Sequence, residues 1–116
     1  MISVVIPVLN NYQDTDQLLN DIVINTIHPT EIILIDNNSS EPIYTLIQKY
    51  STLNFMYVRN SENIGVNASW NLGRKLAGYK YITILNNDIR INNQFFEILD
   101  NVLLEGVLIY SCVTPA

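Results

Sequence analysis

The chain has 116 residues, 48% of them hydrophobic, which suits one domain with a buried core and excludes disorder as the default state. Six Lys+Arg against 11 Asp+Glu give a formal net charge of −5, which argues against a nucleic-acid backbone as main partner, since phosphate binding needs a basic surface. No apolar stretch approaches the ~20 residues of a transmembrane segment, Met1–Pro7 lacks the basic start of a signal peptide, and the lone Cys112 excludes an intramolecular disulfide or cysteine-rich zinc site; a cytoplasmic protein is expected.

Ile2–Ile6 is a β-branched apolar run closed by Pro7, the pattern of a strand buried on both faces. Asp14, Thr15 and Asp16 supply the cap and first-turn acids of a helix. Its apolar positions Leu18, Leu19, Ile22, Val23 and Ile27 recur at helical spacing until His28-Pro29 breaks it. Glu31–Ile35 is a second strand. Glu41 and Pro42 fit the first turn of a second helix, with Ile43, Leu46, Ile47 and Tyr50 as its buried stripe.

Asn54–Val58 is a third strand, followed by a polar loop, Arg59–Gly65, and a helix to about Ala77 with Gly78 as C-cap. Tyr81–Leu85 is a fourth strand. Asn92 or Asn93 caps a fourth helix carrying Phe95, Ile98, Leu99, Val102 and Leu103, and Gly106 leads into a last strand, Val107–Val113. This alternation predicts a three-layer α/β/α fold, Rossmann-like, with a mostly parallel sheet and right-handed crossovers.

Ligands of such sheets bind outside the carboxyl ends of the strands, where strand order reverses. Polar clusters stand at those ends: Pro7–Asn10, Asp36–Ser40 and Asn86–Asp88. Asn60–Asn67 follows the third strand and opens a helix whose amide-rich N-terminus favours an anion. The opposite edge, at Thr26–Thr30 and Gly78-Tyr79-Lys80, carries no comparable set. There are 16 asparagines, most of them suited to turns and caps.

Familiar catalytic and nucleotide motifs are absent. The glycines at 65, 73, 78 and 106 form neither GxGxxG nor GxxxxGK[ST]. His28 precedes a proline far from the clusters, and Cys112 lies inside the last expected strand, so both read as structural. Asp88 is the only carboxylate between Leu76 and Glu97, delivered by an apolar strand. It either starts a turn or offers oxygen to a hard cation such as Mg²⁺ or Mn²⁺ that bridges to a diphosphate. Asn86 and Asn87 can add amide oxygens or hydrogen bonds to a ribose. Asp36, also delivered by an apolar strand, either caps its loop or accepts from a base imide or ribose hydroxyl.

Together these clusters resemble the nucleotide-binding half of a family 2 glycosyltransferase with the GT-A fold. Ser3-Val4-Val5-Ile6-Pro7-Val8-Leu9-Asn10 is similar to the family's opening strand and its proline-containing loop beside the base. Glu31–Ser40 resembles its second strand, and Asn63-Ile64-Gly65-Val66-Asn67-Ala68-Ser69-Trp70-Asn71-Leu72-Gly73 its N-x-G…N-x-G helix region. Tyr81–Asp88 occupies the place of the strand ending in the DxD metal motif.

The resemblance implies that Pro7, Asn10 and Asp36 hold the base, with Val8 in the same loop, and that Asn63 and Gly65 shape the adjacent loop. Asn86 faces the ribose beside Asn87, Asp88 binds a metal, Mn²⁺ or Mg²⁺, that bridges the diphosphate, and Asn71 and Arg74 lie near the donor. For Gly65, Asn71 and Gly73 the alternative is backbone geometry and helix packing. The implied activity is transfer from a nucleotide-diphosphate sugar, a UDP-sugar first, to an unknown acceptor.

Two departures stand out. Asn86-Asn87-Asp88 replaces DxD, which weakens metal affinity. The family's acceptor-binding half, with its general base, normally follows this sheet, whereas the chain ends at Ala116. One nucleotide-sugar-binding domain over 1–116 is therefore expected, with no base assigned. A partner subunit or homo-oligomer could supply missing groups. The alternatives are a non-catalytic nucleotide-sugar-binding module, or a piece of a longer glycosyltransferase, and an unrelated flavodoxin-like signalling domain. The paired acids that such a signalling domain carries after its first strand are missing.

Overall fold

The computed structural model describes residues 1–104. The last expected strand, Val107–Val113, lies outside these residues, as do Gly106 and Cys112. The elements run β1 (Ile2–Val8), α1 (Tyr12–Val23), β2 (Glu31–Asp36), α2 (Thr45–Lys49), β3 (Phe55–Arg59), α3 (Val66–Leu76), β4 (Tyr81–Ile84) and α4 (Phe95–Leu104). Four strands form one parallel sheet in the order β3-β2-β1-β4. The doubly wound α/β expectation is borne out.

Strand periodicity divides the core in two. Ile2, Val4, Ile6 and Val8 of β1, with Ile32 and Leu34 of β2, pack with Leu18, Leu19, Ile22, Leu46, Phe96 and Leu99 of α1, α2 and α4. The alternate residues Val5, Ile33 and Ile35 face Leu72 and Leu76 of α3. The chain travels one way from β1 to β3, then crosses back to β4. A single crossover hand therefore puts α3 on the opposite face. Gly73 lets α3 lie close to β1, because a Cβ there would fall 2.2 Å from Val5 Cγ1. β4, at the margin of the sheet among the described residues, has Ile82 and Ile84 exposed.

Several boundaries differ from expectation, each for a local reason. α1 starts at Tyr12, ahead of Asp14, because Asn10 and Asn11 both take left-handed backbone (φ 56) and turn the chain early. Thr15 is inside the helix, its hydroxyl donating to Asn11 O. α2 is shorter than expected: the Ser40 and Glu41 N–H groups both donate to Asn10 Oδ1, and Pro42–Tyr44 form a tighter turn in which the Thr45, Leu46 and Ile47 N–H groups donate to the carbonyls three residues back. β3 extends to Arg59. Ala77, not Gly78, closes α3. Gly78 instead meets β2, its N–H donating to Glu31 Oε2 at 2.8 Å.

Candidate functional site

The strand order reverses between β1 and β4, and a cleft of about 440 Å³ opens at their carboxyl ends. Pro7, Val8, Leu9 and Asn11 line it from the exit of β1, and Asn86, Asn87 and Asp88 from the exit of β4. Asn63, Gly65, Val66 and Trp70 come from the start of α3, and Asn37 from the exit of β2. Four loops thus converge on one space, as the sequence predicts for a doubly wound sheet.

The loop before α3 is shaped by two residues. Asn63 Oδ1 accepts the Gly65 N–H at 2.9 Å, and Gly65 holds φ +85, which suits a residue without Cβ. No side chain caps the first turn of α3, so its amide donors are left for solvent or an anion. Asn37 ties this helix to the sheet: its Nδ2 donates to Ser69 Oγ at 2.7 Å and its Oδ1 accepts from Asn60 Nδ2 at 2.8 Å. Trp70, the chain's single tryptophan, packs against the cleft with its indole Nε1 buried and without a partner among the described residues.

The exit of β4 is built differently. Asn87 Nδ2 donates to Thr15 Oγ1 at 3.1 Å and to Asn10 O at 3.3 Å, while Asp88 is exposed and takes part in neither bond. Asp88 is the one charged side chain among the described residues that line the cleft. Its carboxylate and the amide oxygens of Asn86 and Asn87 are all hard oxygen donors, so the set fits a divalent cation that completes its shell with ligand oxygens. It is too small to hold one alone. Among the described residues, no group of three or more His, Cys, Asp or Glu side chains gathers.

Four residues expected at or near the site do not line the cleft. Asp36 is fully buried and held by β3 and its own loop: Tyr57 OH (2.5 Å) and Arg59 Nη1 (3.0 Å) donate to Oδ2 from β3, and the Ser39 N–H (2.9 Å) to Oδ1 from the loop. Burial alone would raise its pKa, but the bonds from Tyr57 and Ser39 and the Arg59 charge hold it below the usual carboxylate value. Burial and the bond to Asp36 push the Tyr57 phenol up to about 12. Asn10 is a staple between loops, accepting from Ser40 and Glu41 and donating its own N–H to Ser39 Oγ. Asn71 is exposed on α3, as is Arg74.

Of the other cleft residues, Leu9, Asn37 and Val66 fall within the polar clusters and Trp70 within the helix motif, none of them with an assigned role, and Asn11 lies one position beyond Asn10. Asn37 could have been found as the first residue beyond β2. Trp70 follows Gly65 by five positions, little more than one turn into α3.

A parallel, doubly wound sheet with a polar cleft at its switch point defines the class of α/β proteins that take ligands beyond the carboxyl ends of their strands. Within that class the chain belongs to glycosyl transferase family 2, whose profile matches residues 3–115, so the resemblance read from four motifs is borne out. A cholesterol galactosyltransferase of Borreliella burgdorferi is 29% identical over 101 residues, covering 86% of this chain and 28% of that protein. A chondroitin synthase of Pasteurella multocida is 33% identical over 91 residues, covering 76% of this chain and 9% of that one.

Among solved structures, S. aureus TarS in complex with UDP-GlcNAc superposes with a TM-score of 0.82 at 22% identity, covering 90% of this chain and 31% of that chain. The mannosyltransferase PcManGT from Pyrobaculum calidifontis, in complex with GDP-Man and Mn²⁺, gives 0.68 at 18% identity, covering 77% and 28%. At these identities the likeness shows the shared GT-A fold. The chain spans less than a third of the length of each of these relatives. No helix among the described residues is long and apolar enough to cross a membrane.

Proposed function

We propose that this chain is a nucleotide-sugar-binding domain that takes a nucleoside-diphosphate sugar, a UDP-sugar first, into the β1–β4 cleft and serves sugar transfer to an acceptor hydroxyl. The observation that carries the reading is the convergence of Pro7, Val8, Asn63, Gly65, Asn86, Asn87 and Asp88 on one cleft at the switch point. The cleft lining contains no lysine or arginine among the described residues. A bound diphosphate would therefore meet only amide donors, the α3 N-terminus and whatever cation Asp88 holds.

Pro7, Val8 and the Asn63–Gly65 loop flank the nucleoside in this reading, and Asn86 and Asn87 offer amide groups to the ribose. Asp36 and Asn10 set the loops between which the nucleoside lies. A divalent cation, Mn²⁺ or Mg²⁺, when bound at Asp88 offsets charge on the leaving diphosphate. In the transfer the anomeric carbon–oxygen bond to the diphosphate breaks, a bond from the acceptor oxygen forms, and the acceptor's proton passes to a base. Asp88 is the only carboxylate among the described residues of the cleft and is committed to the cation. No residue is assigned as base.

That single carboxylate also favours a second reading, a binding module without turnover. A titration tests what the two readings share, and a release assay separates them. UDP should bind, and bind more tightly with Mn²⁺ than in EDTA; no binding under either condition refutes both readings. UDP release on incubation with UDP-sugars then marks an enzyme, and its absence a module. Exposed Ile82 and Ile84 on β4, the marginal strand among the described residues, suggest a self-associating surface. A monomer by light scattering at micromolar concentration counts against that part.

A further inference from the structure

Asp21 is buried on α1, and its carboxylate receives three hydrogen bonds from the strap that follows β4. Arg90 Nε donates to Oδ2 at 2.7 Å, Arg90 Nη2 to Oδ1 at 2.8 Å, and the Ile91 N–H to Oδ2 at 3.1 Å. The pair is asymmetric, since the Arg90 side chain is 62% exposed and that of Asp21 4%. Such a pair adds little net stability over an apolar residue packed in the same place. What the two-pronged fork does supply is geometry, because it fixes two atoms of a planar group at once.

The strap is tied at its other end too. Asn87 Nδ2 is bonded to Thr15 Oγ1, also on α1. Thr15 and Asp21 stand six positions apart, ~9 Å along a helix axis. Residues 87–91 therefore run along α1 with both ends fastened to it, and Asp88 lies between the fastenings. Asn25 continues the seam, its Nδ2 donating to Asn92 O and its Oδ1 accepting the Phe96 N–H.

We propose that the Asp21–Arg90 ion pair is a positioning device that presets Asp88 for its cation, with Asn87 as the second fastening. This rests on the cation role given to Asp88 under the proposed function. A pair of purely structural value would weaken folding and every mode of nucleotide binding alike. A positioning pair acts on the metal-dependent part alone.

The test is calorimetric titration of UDP into the whole chain, in EDTA and across a range of Mn²⁺ concentrations, with a melting curve for each protein. In Arg90→Gln and Asp21→Asn the Mn²⁺ needed for half-maximal enhancement should rise about 10- to 100-fold, with UDP affinity in EDTA held within about twofold. Arg90→Lys should fall between these and the wild type, keeping the charge without the fork. Should Asp21→Asn or Arg90→Gln fail to fold, Arg90→Lys, which leaves a cation beside the buried carboxylate, still decides the matter: an unchanged Mn²⁺ requirement there overturns the inference. An unchanged Mn²⁺ requirement in Arg90→Gln, with enhancement present in the wild type, overturns the inference alone. Equal losses with and without metal do so too. A wild type that shows no enhancement overturns both the inference and the role of Asp88 beneath it.

Discussion

The exits of β2 and β4 make an instructive pair, because each is an apolar strand that delivers an aspartate to the same edge of the sheet. At the β2 exit, Asp36 is buried and its oxygens accept from Tyr57, Arg59 and Ser39. At the β4 exit, Asp88 is exposed in the cleft while its neighbours Asn87, Arg90 and Ile91 make the bonds. The first aspartate builds its loop. The second is held out by its loop. A carboxylate that the protein bonds on both oxygens carries structure, and one that takes no such bond among the described residues, in surroundings that are fastened, is available to a ligand.

The contrast can be broken first at Asp36. Asp36→Ala leaves a phenol and a buried backbone amide without their acceptor, while the exposed Arg59 keeps Asn38 Oδ1 and the Ser39 carbonyl, and should cost about 2–3 kcal/mol in urea unfolding. A loss no larger than that of a surface substitution would erase the difference between the two sites. Gly73→Ala should cost about 1–3 kcal/mol, because the new Cβ falls on the buried, β-branched Val5 and lifts α3 from the sheet. Thermal melting gives the size, and a shifted UDP affinity would show that the seat of α3 sets the cleft.

The pH dependence of stability sharpens the same point. The folded carboxyl of Asp36 lies below its ordinary 3.8, so the stability that it contributes is present above that value and is lost as pH falls through the lower, folded one. Asp16, held low against its burial by Lys49 and Tyr50, contributes with the same sign. Urea unfolding between about pH 5 and about pH 2 should show wild-type stability falling, with a shallower fall in Asp36→Asn. Parallel curves would contradict the role given to Asp36.

Asp88→Ala, by contrast, should change stability by no more than about 0.5 kcal/mol while abolishing any Mn²⁺ enhancement of UDP binding. A large drop in melting temperature would show that Asp88 too is structural. The smallest signal expected is optical: Trp70 lines the cleft, so UDP should perturb the chain's single-tryptophan emission, and Trp70→Phe should remove the response.

The alternation of elements was legible because β1 and β2 are buried on both faces and so read as unbroken apolar runs. Their boundaries were less so, since they depend on contacts distant in sequence. α1 begins early through two left-handed asparagines, and α2 begins late, after Asn10 has claimed the backbone of Ser40 and Glu41 and Pro42–Tyr44 have formed a tighter turn. The asparagine surplus announced turns without saying which. In the cleft, Pro7, Val8, Asn63, Gly65 and Asn86–Asp88 were readable because loops after parallel strands share one edge. Asp36 and Asn10 fall outside its lining because side-chain acceptors at a strand end are as easily filled by the neighbouring loop as by a ligand. Trp70 and Asn37 lie within a motif and a cluster but carry no assigned role from sequence, as an aromatic at helical spacing and one amide in a run of polar residues.

The most direct test of the central claim is a crystal structure of the chain with UDP and Mn²⁺. The account predicts the nucleotide in the cleft between the exits of β1 and β4, its diphosphate beside Asp88 with the metal on that carboxylate, and Asp36 still bonded to Tyr57, Arg59 and Ser39. A nucleotide bound away from these loops, or a metal held without Asp88, would contradict it.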